Sequence, residues 1–255
     1  MYELSLMKQA GSSFGTRFRR RLWRSPGLTE DWVNLARFLS PNERVLLVDI
    51  GANVGEFTAK FLSIYNNGRS ICFEPVSRTY ELLRSRFAED ARVGAHRIAL
   101  SDRDVSAEIY LHEDNRLCSL TSYKREANEY YRTGPAQSEI TTCRRLDNIE
   151  FAREPDEKLF VKIDVQGFEL ETILGGMQTL KTADALLLEC SFADEYEGKE
   201  PSFSPACSLL RECDLYPIVF QDYGRGISNY AFERDVLFVK RHLLSKIWFR
   251  NYARN

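Results

Sequence analysis

Several short segments of this 255-residue chain set acidic side chains beside glycines or small residues directly after an apolar run. The first reads Asp49-Ile50-Gly51-Ala52-Asn53-Val54-Gly55-Glu56. Gly51 lets the backbone turn sharply and approach a ligand closely. Asn53 tolerates a left-handed conformation better than other non-glycine residues. Gly55 would let a following helix pack tightly on the strand. The second segment is Phe73-Glu74-Pro75. A carboxylate some 20 residues past a glycine turn is placed to accept hydrogen bonds from both hydroxyls of a ribose. The third is Ala99-Leu100-Ser101-Asp102, where Ser101 or Asp102 can face the edge of an adenine. The fourth runs from Val161 to Glu169, VKIDVQGFE. Lys162 and Asp164 share a strand face there, because side chains repeat every second residue. Gly167 permits a tight exit, and Glu169 falls in the first turn of a helix, where the dipole favours it. A fifth run closes on Leu188-Glu189-Cys190, which sets Glu189 beside Asp164 across neighbouring strands.

These pieces describe a nucleoside site without a phosphate. The dinucleotide fingerprint G-x-G-x-x-G fails, since Asn53 and Glu56 occupy its second and third glycine positions. A carboxylate in the first helical turn also opposes a pyrophosphate. S-adenosylmethionine has no phosphate and carries a sulfonium cation, so Asp49 and Glu56 suit it better than they suit NAD.

The elements that must hold these residues alternate along the chain. Arg44–Ile50, Ser70–Glu74, Arg92–Leu100, Leu159–Asp164, Ala183–Glu189, Tyr216–Gln221 and Val236–Lys240 read as strands. Glu56–Tyr65, Ser77–Phe87, a stretch opening at Phe168 and Ser204–Cys213 carry apolar residues at helical spacing. Repeated β-α units imply an α/β fold, a mainly parallel sheet with helices on both faces. Ligands in such sheets bind beyond the C-terminal strand ends, where strand order reverses. Ala107–His112 and Ile140–Leu146 alternate instead, as two antiparallel strands around a polar insertion, residues 113–139.

DIGANVGEF, FEP, ALSDRD, RRLDNI and above all VKIDVQGFELETILGG resemble the FkbM-type methyltransferases, in consistent order from about residue 45 to 240. The family more often has Glu where this chain has Gln166. The resemblance implies a Rossmann-like class I methyltransferase fold with a seven-stranded sheet and a β-hairpin insertion. It also implies S-adenosylmethionine as cofactor and O-methylation of a hydroxyl on a glycan or secondary metabolite. Carried over by position, Asp49, Gly51, Asn53, Gly55 and Glu74 would bind the cofactor, with Asp164 at the junction with the acceptor. Methyl transfer to a hydroxyl needs alignment and a base. Asp164, Glu189 and His112 are the candidates for that base, Asp164 the foremost. The insertion, with Asn115, Arg116, Tyr123, Lys124, Arg125, Tyr130, Tyr131 and Arg132, is expected to cover the acceptor.

Composition narrows the partners. A formal net charge of -2 gives no global drive toward nucleic acid, and the chain lacks an N/D-P-P-Y/F motif or a Pro-Cys pair after the fourth strand. The six cysteines make no C-x-x-C pair and no zinc spacing, so no metal is expected. The chain is expected to be cytoplasmic, with no signal peptide and no apolar run of the roughly 18 residues that span a bilayer. Basic aromatic stretches at residues 17–24 and 240–250 imply peripheral contact with the inner membrane face. The domain reading is an extension over 1–40, a catalytic domain over 41–240 and a tail over 241–255. The alternatives are a cofactor-binding scaffold with weak catalysis and a nucleic-acid methyltransferase.

Overall fold

A computed structural model describes residues 35–122, 124, 137–193, 196–220 and 233–244. The chain divides into two compact units, Met1–Phe38 and Leu39–Asn255, and the second holds every element below. Its strands are β1 (Val45–Ile50), β2 (Arg69–Phe73), β3 (Val93–His96), β4 (Ala99–Leu100), β5 (Val105–Leu111), β6 (Gln137–Arg144), β7 (Lys158–Ile163), β8 (Ala185–Ser191), β9 (Leu215–Phe220) and β10 (Glu233–Lys240). Its helices are α1 (Glu56–Ile64), α2 (Ser77–Arg86), α3 (Glu169–Gly175), α4 (Met177–Leu180) and α5 (Phe203–Glu212).

Seven strands form one sheet in the order β3-β2-β1-β7-β8-β10-β9. The first five are parallel, and β10 runs antiparallel to both β8 and β9. β1 pairs with β2 on one side and β7 on the other, so the strand order reverses at β1. Every residue of β1 is buried, as a continuous apolar strand requires when both sheet faces are covered. On one face Leu46, Val48 and Ile50 join Val161 and Ile163 of β7, Ile173 of α3, and Ala206 and Leu210 of α5. On the other face Phe160 meets Phe57 and Phe61 of α1, with ring centroids 6.1 and 6.3 Å apart. Leu83 of α2 packs against Cys72 and Ala52.

The expected third strand over residues 92–100 breaks in two. β3 pairs with β2 only as far as Phe73↔His96. Glu74 N still donates to His96 O at 3.1 Å, but the next N–H on that side, Val76 N, donates to Glu74 Oε1 instead. Ala99 and Leu100 pair instead with Cys143 and Arg144. The resulting second sheet has the order β4-β6-β5.

The expected antiparallel pair is present, in register from Val105↔Cys143 to Leu111↔Gln137. Both strands begin earlier than their apolar alternation shows, and β6 ends at Arg144. Leu146 turns into a short 3-10 segment and is buried in the core. β10 likewise starts at Glu233, because Asp235↔Glu189 and Glu233↔Ser191 extend its pairing with β8 through polar residues. Within the insertion, Tyr123, Arg125, Tyr130, Tyr131 and Arg132 lie outside the described residues, as do both basic ends apart from residues 35–40 and 240–244. No described helix is long and apolar enough to cross a membrane.

Candidate active site

One pocket opens at the C-terminal ends of β1, β2, β7 and β8. Its lining includes Ile50, Gly51, Asn53, Phe73, Glu74, Val76, Ile98, Leu100, Asp164, Val165, Gln166, Phe168 and Glu189. The first wall is the turn after β1. Gly51 N and Ala52 N both donate to Phe73 O at 3.0 Å, which fastens the turn to β2. Gly51, Asn53 and Gly55 all have positive φ, at 76°, 49° and 77°. A Cβ on Gly55 would meet the Phe87 ring at 2.4 Å and Leu83 at 2.7 Å. Gly55 therefore makes room for the side chains of and just after α2, rather than for a strand.

Glu74 forms the second wall. It is buried, and its carboxylate is held at both ends: Asn53 N donates to Oε2 and Val76 N to Oε1, each at 2.9 Å. Burial pushes its carboxyl up to about 7, against the pull of those two N–H groups. Each oxygen keeps a further lone pair for a donor in the pocket.

The third wall comes from the turn after β7. Asp164 N donates to Ile50 O at 3.1 Å, so the ends of β1 and β7 stay paired. Lys162 Nζ donates to Asp164 Oδ2 at 2.9 Å and to Gly51 O at 3.5 Å, and lies 3.7 Å from Asp49 Oδ1. Burial opposes charge on Lys162, but Asp164 and Asp49 outweigh it and raise its value above the ordinary lysine range. Gln166 adopts φ 52°. Its Nε2 donates to Asp164 Oδ1 at 3.1 Å and to Glu189 Oε2 at 2.5 Å. Its Oε1 accepts from Tyr196 Oη at 3.3 Å, and its backbone carbonyl accepts from the Ser119 hydroxyl. Gly167, at φ 91°, lies on the Tyr196 ring, where a Cβ would come within 2.8 Å. Glu169 accepts from Gly167 N at 3.0 Å, and burial raises its carboxyl to about 7.

Gly51, Asn53, Glu74, Asp164 and Glu189, separated widely in sequence, therefore line one pocket. The other expected residues stand outside that lining. Asp49 is fully buried behind it; its Oδ2 accepts from Thr58 Oγ1 at 2.7 Å, and its Oδ1 makes no hydrogen bond. Ser101 is buried, with its Oγ 3.1 Å from Asp102 Oδ1, and Asp102 pairs with Arg103. At this end of β4 the lining is Ala99 and Leu100. His112 is buried, and burial lowers its imidazole below the ordinary value. Its backbone carbonyl accepts from Arg78.

Residues that sequence reasoning did not place also contribute. Cys118 and Ser119 line the pocket together with Asn115 and Arg116, brought in by the Tyr110↔Ser119 bridge. Nothing in the local pattern of Cys118 and Ser119 marks them, whereas Asn115 and Arg116 belong to the insertion expected to cover the acceptor. Lys162 did carry a signal, a lone lysine inside the apolar run LFVKI.

The lining fits S-adenosylmethionine. A bound nucleoside would find apolar surface from Ile50, Phe73, Val76, Ile98 and Leu100. The Glu74 carboxylate, with a lone pair left on each oxygen, would suit its hydroxyls, and the Asp164 carboxylate would suit a sulfonium. Gly51 keeps the cradle open at its base.

Residues 49–215 match the family model described as Methyltransferase FkbM domain. The chain is similar to the 2-O-methyltransferase NoeI of Sinorhizobium fredii, with 29% identity over 168 residues, 61% of this chain and 67% of that protein. Among solved structures it is similar to fibrillarin of Aeropyrum pernix in complex with S-adenosyl-L-methionine, with 11% identity, a TM-score of 0.44, and 81% and 74% of the two chains covered. It is also similar to the 1,6-didemethyltoxoflavin-N1-methyltransferase of Burkholderia thailandensis, with 13% identity, a TM-score of 0.42, and 83% and 81% coverage.

Proposed function

Because the chain belongs to the FkbM methyltransferase family and is an S-adenosylmethionine-dependent methyltransferase, we propose that it methylates a hydroxyl oxygen of a sugar, glycan or related polyhydroxylated metabolite. The observation that carries this reading is the Asp164–Gln166–Glu189 group. It puts two carboxyls and a carboxamide, all hydrogen-bonding groups, where the cofactor pocket meets the ends of β7 and β8. The name of the relative, a 2-O-methyltransferase, supports oxygen as the methylated atom.

In this reading Glu74 accepts the ribose hydroxyls, and Gly51 and Asn53 shape the turn beneath the cofactor. Asp49 acts from behind, through Lys162 and Thr58, and Gly55 sets the start of α1. Ser101 and Asp102 brace the adenine end through the backbone beside Ala99 and Leu100. When bound, S-adenosylmethionine supplies an electrophilic methyl on a sulfonium. Asp164 holds the acceptor hydroxyl in line with that methyl and takes its proton as the new O–C bond forms and the S–C pair returns to sulfur. Alignment of this kind is worth about 7–11 kcal/mol of barrier, and a positioned base adds about 10²–10⁴-fold. His112, buried off the pocket, is a weaker candidate base than Asp164 or Glu189.

Residues 41–240 form the catalytic domain in this account. The basic aromatic ends, 1–40 and 241–255, hold it at an anionic inner membrane surface, where lipid-linked sugars are met.

The test is calorimetric titration with S-adenosylmethionine, S-adenosylhomocysteine and NAD, followed by transfer of labelled methyl to panels of glycans, small polyols and RNA. Binding of the first two, lost in Glu74→Ala, and label on a hydroxyl oxygen of a polyol are expected. Label on a nitrogen or on RNA overturns the acceptor class.

A further inference from the structure

Asp164 and Glu189 share one donor, Gln166 Nε2, at 3.1 and 2.5 Å. Two half-buried carboxyls that share one donor compete for the negative charge, and the one beside a cation keeps it more readily. Their surroundings are unequal. Asp164 is faced from its own strand by Lys162, whose ammonium is 2.9 Å from Oδ2. Asp49 on β1 and Glu169 on α3 stand further off. Glu189 is faced by charges of its own sign: Asp164 on one side, and Glu233 and Asp235 of β10 on the other.

We propose that Lys162 is the positioning residue that decides which carboxyl keeps the proton, and that Gln166 holds the two carboxyls together, so that Asp164 stands ready as the anion and Glu189 as the neutral acid before any acceptor arrives. Lys162 is suited to this because it is buried and fixed. Its side chain is 9% exposed, the Phe57 ring lies 5.5 Å from Nζ, and Gly51 O and Asp49 hold its other side. Gln166 contributes a neutral bridge. With both N–H groups spent on the carboxyls, its Oε1 is left to accept from Tyr196, and the Ser119 hydroxyl anchors its left-handed backbone. Burial and the surrounding acids raise Glu189, whereas at Asp164 the opposing effect of burial is outweighed by Lys162 together with hydrogen bonds from Glu189 and Gln166, which hold its carboxyl low. The pair then presents an acceptor hydroxyl with one group that takes a proton and one that donates a hydrogen bond.

This rests on reading Asp164 and Glu189 as the acceptor-facing carboxyls, but it is tested without an acceptor. Infrared spectra of the full chain are recorded at a pH above that at which Glu74 and Glu169 titrate, about 7 for each. Every spectrum, the wild-type reference included, is taken in an Asp49→Asn background, because burial raises the Asp49 carboxyl and Lys162 opposes that rise. A protonated carboxylic C=O stretch is expected in the wild type and is lost in Glu189→Gln. In Lys162→Met the band grows as the pair takes up a second proton, and Lys162→Arg restores it; a purely structural lysine would not change the proton count. In Gln166→Met the band moves to higher frequency as the carboxyl loses its N–H donor. A wild type without the band, or a band that survives Glu189→Gln, overturns the proposal. A Lys162→Met or Gln166→Met spectrum equal to the wild type removes that residue from it. If Lys162→Met does not fold, the Glu189→Gln and Gln166→Met spectra still decide. Cofactor titration of the same samples reads the nucleoside site separately, so a wrong allocation and a wrong functional reading give different results.

Discussion

The backbones of Gly51 and Asp164 touch: a Cβ built on Gly51 would stand 1.8 Å from the Asp164 carbonyl oxygen. Because that atom is backbone, no side-chain rotation relieves the clash. Gly51 also holds φ 76°, where any L side chain is strained. Gly51→Ala should therefore cost more than about 1 kcal/mol of stability and abolish the rise in melting temperature on adding S-adenosylmethionine. Gly94→Ala is the control, because nothing lies within 4 Å of a Cβ there. Urea unfolding and thermal shift check both; equal behaviour of the two variants would sink the claim.

Glu74 and Glu169 make stability depend on pH in a defined direction. Both carboxyls sit near 7 in the folded chain, raised by burial from the ordinary 4.5. The folded state thus binds protons that the unfolded state has released. Their contribution is fully present below about 4.5 and is lost as pH rises to about 7. Urea midpoints should fall across that window, and Glu74→Gln should flatten the slope. An unchanged slope in Glu74→Gln and Glu169→Gln together would refute the assignment.

Asp164→Asn keeps the shape and removes the anion. Turnover should fall by about 10²–10⁴-fold once an acceptor is in hand, while S-adenosylhomocysteine, which lacks the sulfonium charge, should bind nearly as well as to the wild type. Single-turnover kinetics and calorimetry separate the two effects. Full turnover with full cofactor affinity would remove Asp164 from the reaction.

Part of the C-terminal stretch packs on the domain. Leu243 is buried and Arg241 pairs with Asp214 at 3.0 Å, so residues up to 244 belong to the folded domain. Removing 245–255 should leave the melting temperature within a few degrees and weaken flotation with vesicles containing anionic lipid, more so at low salt, where charge attraction is least screened. Flotation unchanged by the truncation would detach the tail from any membrane role.

Much of this molecule was legible in one dimension. RVLLVDI, LFVKID and ADALLLE are runs that only a strand buried on both faces needs, and β1, β7 and β8 are those strands. The turn after β1 was legible because Gly51, Asn53 and Gly55 are residue types that accept positive φ, and all three do. The placement of Glu74 was legible because it closes the short run Ser70–Glu74 some 20 residues past the glycine turn. Other features depended on tertiary structure. Asp49 and Ile50 are neighbours at the same strand end, yet Ile50 lines the pocket and Asp49 is bonded to Thr58 behind it; which face a strand presents depends on what packs against the sheet. Gln166 reads locally as a turn residue. Its bridge from Asp164 to Glu189, which is 23 residues beyond Gln166, exists only because β7 and β8 are parallel neighbours in a register, Ile163↔Leu188, that sets Asp164 beside Glu189. The division of charge between those carboxyls depends on where Lys162 reaches and on how much water is excluded, and both are properties of the packed chain rather than of its order of residues.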